Sequence, residues 1–258
     1  SQYNGGDSYT EYGANDTKVS TAGGQLSDYY SDVNAEFALR YSGKIGSAAI
    51  DFSTSVNDYQ SFVAGDVPSY RWVGNSNQLK INIEDTYIAH LAATWQGSNS
   101  YAKGQRYGFF PAGSFTWVLS NAGFLNTGEQ LNYLSAKVSA GLLGNDRTGG
   151  ERFMYRQAFF NANGYSFGIP NGSTQGSSEG TLPNPEATWE KSLQYALSLD
   201  ARLFSNALSL NFTSFYETRS AILVDQSNVI SSVIGNDLPQ LNAGIISNSG
   251  VEFSAGNH

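Results

Sequence analysis

Leu193-Gln-Tyr-Ala-Leu-Ser-Leu-Asp-Ala-Arg-Leu203, the short break Phe204-Ser-Asn206 and then Leu208-Ser-Leu-Asn-Phe212 form the stretch whose reading decides the fold. Leu193, Tyr195, Leu197, Leu199, Ala201 and Leu203 fall on one side of an extended chain, and Ser192, Gln194, Ser198, Asp200 and Arg202 on the other. Successive side chains of a strand point to opposite faces, so a period of two marks a strand with one apolar and one polar face. After the break the pattern resumes, with Leu208, Leu210, Phe212 and Tyr216 against Ser209, Asn211, Thr213 and Glu217. Together they predict an antiparallel hairpin.

The same alternation recurs toward the N-terminus. Val33, Ala35, Phe37, Leu39 and Tyr41 oppose Asn34, Glu36, Ala38, Arg40 and Ser42, and Ala48, Ile50, Phe52, Thr54 and Val56 oppose Asp51, Ser53, Ser55 and Asn57. Shorter runs follow at residues 79–84 and 89–96, an aromatic-rich one at 109–119, and a regular one at 134–142. A weaker run at 244–256 completes a set of about nine strands, several of them longer than the five or six residues usual in globular sheets. The chain is all-β and antiparallel by this reading. The apolar faces carry almost no charge; Lys191 is the exception and stands at a strand end, where its stem can reach an interface.

Periodicity alone fits either a soluble sandwich or a membrane barrel. Loop lengths separate them. Tight turns at residues 43–46, 84–86 and 204–206 alternate with long Gly-, Ser- and Asn-rich connections at 60–78, 97–106, 144–188 and 221–243, and the 120–130 connection is intermediate. Short turns at one rim and long loops at the other are the pattern of a transmembrane β-barrel. Tyr29, Tyr30, Tyr41, Tyr59, Tyr87, Trp95, Tyr107, Phe110, Trp117, Trp189 and Tyr216 stand near strand ends, as interfacial aromatic girdles require.

Composition agrees and excludes much else. Only 14% of the residues are charged, against about a quarter in soluble domains. A net charge of −8 leaves no basic stripe for a nucleic-acid backbone. The chain has no cysteine, hence no disulfide, thiolate metal site or catalytic thiol. His90 and His258 are the only histidines, and no zinc, phosphate-loop or nucleophile-elbow spacing occurs. His90 falls on the polar face of its strand, and the Gly-flanked run from Gly144 to Gly149 has no helix after it to make a phosphate site. No enzyme, metal or cofactor is expected. No apolar window long enough for a helical membrane span exists, a test to which strands are blind. Two loop segments combine aromatic faces with guanidinium donors, a pairing suited to sugars or peptides. They give the ligand-binding candidates Tyr70, Arg71 and Trp72 in one, and Tyr101 and Arg106 in the other.

Several stretches resemble the SusC/RagA family of TonB-dependent outer-membrane transporters. The most specific is Leu182-Pro-Asn-Pro-Glu-Ala-Thr-Trp-Glu-Lys-Ser192 with the alternation that follows it. Phe109-Phe-Pro-Ala-Gly-Ser-Phe-Thr-Trp117, Leu134-Ser-Ala-Lys-Val-Ser-Ala-Gly-Leu-Leu-Gly-Asn145 and Asn248-Ser-Gly-Val-Glu252 are similar in the same order. The resemblance covers roughly residues 30–256. It implies a barrel of about 22 strands filled by a plug, located in the bacterial outer membrane. It further implies import of oligosaccharides or peptides under a SusD-like surface lipoprotein, driven by TonB through the plug. Residues 1–28 then read as a polar lead-in and residues 29–258 as barrel wall, incomplete at both ends. A passive porin-like barrel and a soluble or surface β-sandwich binding module are the alternatives.

Overall fold

The computed structural model describes residues 2–3, 9–10, 30–63, 68–125, 128–147, 152–167, 172–226 and 236–257. Of the lead-in, only β1 (Gln2–Tyr3) and β2 (Tyr9–Thr10) lie among them, paired antiparallel; Tyr29 lies outside. The wall consists of β3 (Tyr30–Ile45), β4 (Ala48–Val63), β5 (Tyr70–Ile83), β6 (Tyr87–Ser98), β7 (Tyr107–Val118) and β8 (Leu131–Asn145), then β11 (Glu190–Leu203), β12 (Leu208–Val224) and β13 (Leu241–Asn257). The hairpin β9 (Phe159–Phe167) and β10 (Gly172–Glu179) interrupts the long connection between β8 and β11. The nine wall strands form one antiparallel meander in chain order.

Nine strands agree with the expected number, but they run further than the pattern indicates. β4 continues to Val63 and β5 starts at Tyr70, within the expected 60–78 loop, and β12 and β13 likewise enter the expected 221–243 loop. The expected 144–188 loop holds the β9–β10 hairpin. Alternation fades at these ends because polar and apolar residues no longer sort by face, as in Asp58-Tyr-Gln60 of β4 and the wholly apolar Ala221-Ile-Leu-Val224 of β12. Strands of 12 to 17 residues exceed the roughly 9–11 that a tilted membrane-crossing strand needs.

Register keeps each face intact across the wall. Phe52, Leu79, Leu91 and Gly113 align on the apolar side, and Asp51, Lys80, His90 and Ser114 on the polar side. Among the described residues no second sheet covers the apolar face. Phe37, Leu39, Leu91, Trp95, Val138, Leu197 and Phe253 are all exposed. A sandwich would bury one such face about 10 Å beneath another sheet, so that alternative falls. No described helix is long and apolar enough to cross a membrane.

Aromatics frame the apolar belt. Tyr87 stacks on Phe115 and Trp117 near the short-turn rim, and Trp95 meets Phe109 near the long-loop rim. From Tyr87 to Trp95 the chain climbs roughly 26 Å at ~3.3 Å per residue, or roughly 20 Å upright at a barrel tilt of about 40°, close to the apolar band of an outer-membrane barrel. Tyr41, Tyr107 and Tyr216 also lie on the apolar side. Three expected girdle residues do not: Tyr30, Tyr59 and Phe110 share the polar side with their register partners. Trp189 is buried altogether, at 1% exposure. Thr54, Asn75 and Asn77 interrupt the apolar side as a patch of mutual hydrogen bonds, which lowers the cost of polar groups there.

Turns at the short rim are tight and left-handed. Ala207 donates to the Phe204 carbonyl at 3.0 Å across Ser205 and Asn206, whose φ angles are 56° and 68°. Two left-handed central residues make a type I′ turn, which favours Asn then Gly. Ser205→Asn is therefore expected to stabilise the turn by about 0.5 kcal/mol, since Asn tolerates this region better than Ser. The check is a higher temperature of band conversion in a heat-dependent gel shift of the whole protein.

Candidate functional site

At the long-loop rim the polar faces of β4 and β5 carry Tyr59 and Trp72 directly opposite each other, with ring centroids 6.1 Å apart and planes inclined by 32°. Tyr70 meets Tyr59 edge-on at 6.1 Å. Beneath the indole, a Cβ on Gly74 would come within 3.1 Å of the Trp72 ring, so the glycine lets the ring lie low along the strand. These rings form a shelf on the polar side of the wall.

The loop after β8 supplies charge to the shelf. The Tyr70 hydroxyl donates to Asp146 Oδ2 at 2.7 Å. The Arg147 guanidinium lies 5.7 Å from the Tyr59 centroid and 5.1 Å from that of Tyr70, a cation–π arrangement. Hydrogen bonding to Tyr70 first, and then the contacts with Tyr59, hold Arg147 above the ordinary arginine pKa, so it is a permanent cation. Ion pairs among the described residues join Arg71 to Asp58, and Arg219 to Glu190 and Glu217; none joins Arg147 to a carboxylate.

A small apolar core fastens the shelf. Tyr101, Phe110, Ala187 and Trp189 are buried together, with Leu142 and Met154 packed against them. Trp189 lies 5.6 Å from Tyr101 and 5.3 Å from Phe110, centroid to centroid. Its space arises at Pro111. The β7–β8 register ends at Ala112 opposite Gly141, next to a proline that has no N–H for the ladder. Phe110 enters the opening, and a Cβ at Gly144 would stand 2.0 Å from its ring, so only glycine fits there.

The Pro-Asn-Pro-Glu-Ala-Thr-Trp segment delivers Trp189 into this opening. Asn184 caps a turn by accepting from Glu186 N at 3.0 Å, and its amide nitrogen donates to the Gln240 carbonyl at 2.8 Å. Asn242 then pins Thr188 by two hydrogen bonds. Trp189 Nε1 donates to the Arg106 carbonyl at 3.1 Å, and Ser98 N donates to the same oxygen at 3.0 Å. Through Asn99 the loop 99–106 reaches the shelf. Asn99 Oδ1 accepts from Arg71 N at 2.8 Å, and Asn99 Nδ2 donates to the Ser69 carbonyl at 2.8 Å.

The five candidates from the sequence thus take different places. Tyr70 and Trp72 stand together in the shelf. Arg71, in the same strand, points to the opposite side, where Asp58 neutralises it. Tyr101 is buried at 2% exposure; burial foremost, then the nearby charges, pushes its phenol above the ordinary range. Arg106 Nε donates to the Tyr101 carbonyl and shapes the loop. Sequence reasoning missed Tyr59, Asp146 and Arg147 as shelf residues. The Gly-flanked run from Gly144 to Gly149 was the only signal for the last two. No described cluster of His, Cys, Asp and Glu is placed to hold a metal.

Comparison with known proteins places this arrangement. No family model matches the chain. It is 24% identical over 195 residues to TonB-dependent receptor P26 of Formosa agariphila, covering 76% of the chain and 19% of that protein. It is 24% identical over 178 residues to TonB-dependent receptor SusC of Bacteroides thetaiotaomicron, covering 69% of the chain and 17% of SusC. The chain thus spans about a fifth of the length of these relatives. Its fold matches a chain of the RagAB peptide transporter with a TM-score of 0.73 at 18% identity, over 88% of this chain and 28% of that one. The siderophore receptor PirA of Pseudomonas aeruginosa has the same fold more distantly, with a TM-score of 0.53 at 11% identity, over 87% of this chain and 39% of that one. These relatives are receptors and transporters by name, and none is named as an enzyme.

Proposed function

We infer that this SusC/RagA-like stretch of a TonB-dependent transporter forms part of the barrel wall and of its outer mouth, in the bacterial outer membrane. The apolar face meets lipid, the polar face lines the lumen, and the long-loop rim faces outward, as in outer-membrane barrels generally. The transporter takes up oligosaccharides or peptides, with energy from TonB and a SusD-like surface lipoprotein over the mouth. The observation that carries this reading is the shelf of Tyr59, Tyr70 and Trp72 on the lumen side of the long-loop rim, beside Arg147. Aromatic faces bury the apolar side of a sugar or side chain, while the guanidinium and hydroxyls supply directional bonds. Arg71, on the opposite side with Asp58, takes no part in binding, and Tyr101 and Arg106 support the loop.

The whole transporter, purified in detergent and titrated calorimetrically with oligosaccharide and peptide mixtures, is expected to bind one of the two classes. Trp72→Ala should weaken that binding roughly fivefold, corresponding to about 1 kcal/mol for a lost ring contact. Uptake by cells should cease without TonB. Uptake that persists in a TonB-deficient strain would instead mark a passive porin.

A further inference from the structure

Arg147 differs from the other mouth groups in what remains for it to bind. Its guanidinium has five N–H donors; the Tyr70 and Tyr59 hydroxyls engage some of them, and the group lies over both rings. Asp146 follows the Tyr70 hydroxyl and makes no ion pair with Arg147, so the cation is not cancelled by its chain neighbour. Arg147 is exposed, next to the Tyr59 ring that pairs with Trp72. The Trp72 and Tyr59 rings stand side by side, 6.1 Å apart and inclined by 32°, and an indole face suits the C–H face of a sugar ring.

We propose that this shelf selects oligosaccharides bearing an oxyanion on the ring, a uronate carboxylate or a sulfate ester, with the sugar's C–H face on Trp72 and the oxyanion on Arg147. Planar, paired donors match both groups, and a charge-assisted bond to either is about twice as strong as a neutral one. The assignment rests on the import reading given above and narrows its substrate class.

The test uses the whole transporter with its surface partner, in detergent, and four probes: an oligogalacturonate, its methyl ester, a sulfated galactan oligosaccharide and its desulfated form. A glutamate-rich hexapeptide is the fifth. At least one anionic sugar is expected to bind tenfold or more tighter than its neutral counterpart, and the pair that shows the difference identifies the oxyanion. Arg147→Gln should erase that difference, so that the charged and the neutral sugar bind alike. Arg147→Lys, which keeps the charge and loses the fork, should restore only part of it. The heat-dependent gel shift shows for each variant that the barrel is assembled. Equal affinity for charged and neutral sugars would overturn the selection and leave import standing. Preference for the acidic peptide over every sugar would overturn the sugar assignment. Binding of none of these probes, nor of neutral peptides, would overturn the import reading and this inference with it.

Discussion

Leu197→Arg is expected to remove the assembled barrel from the outer membrane, whereas Gln194→Arg, three residues along the same strand, should leave it in place. Leu197 lies on the apolar face of β11, between Val138 of β8 and Ser214 of β12, and is 44% exposed with no protein layer over it. If that face meets lipid, a guanidinium there stands in hydrocarbon and costs about 2–4 kcal/mol near the midplane. Gln194 lies on the polar face opposite Glu217, where an added guanidinium finds water and a carboxylate. The measurement is the amount of heat-modifiable protein in outer-membrane extracts, one variant beside the other. Equal loss from both would show that the two faces are wrongly assigned; no loss from either would deny the chain a membrane.

Trp189→Ala should leave the wall assembled and disable its mouth. The indole is the largest part of the only described core cluster, and removing it costs about 3–5 kcal/mol as a cavity. That loss falls on the rim, since the strands below are joined by their own ladders. It frees the Arg106 carbonyl from Trp189 and with it the loop that holds Ser69 and Arg71 through Asn99. Ligand binding is expected to drop more than tenfold and the loops to become cleavable by added protease, with the gel shift unchanged. Trp189→Phe keeps most of the packing and loses one hydrogen bond, about 1 kcal/mol, so it should rescue most of the binding. Full binding by Trp189→Ala would separate the core from the site.

Much of the fold was legible from residues such as Leu193 to Leu203, because a strand's two faces follow from local geometry alone. The hairpin at Phe204 was equally readable, since Leu203 and Leu208 stand at its ends. The site was less so. Tyr59 looked like a girdle residue because it stands near a strand end, and only the register that sets it opposite Trp72 shows its true side. Arg147 carried no periodic signal at all. Tyr70 and Asp146 are 76 residues apart and meet where the loop after β8 reaches the start of β5, a contact that no local pattern encodes.

By itself the sequence determined that the chain is a set of long antiparallel strands, and which residues share a face, since the period of two is a property of the backbone. It also contained the proline that stops one ladder and the tryptophan that fills the gap, without indicating that the two belong together. Tertiary structure alone decided that pairing. Pro111 withholds a hydrogen bond where β7 passes β8, the strands part, and the volume left over is closed by Trp189 from the far end of a long connection. The physical reason is that faces are set one residue at a time, whereas gaps exist only between strands that have already found each other.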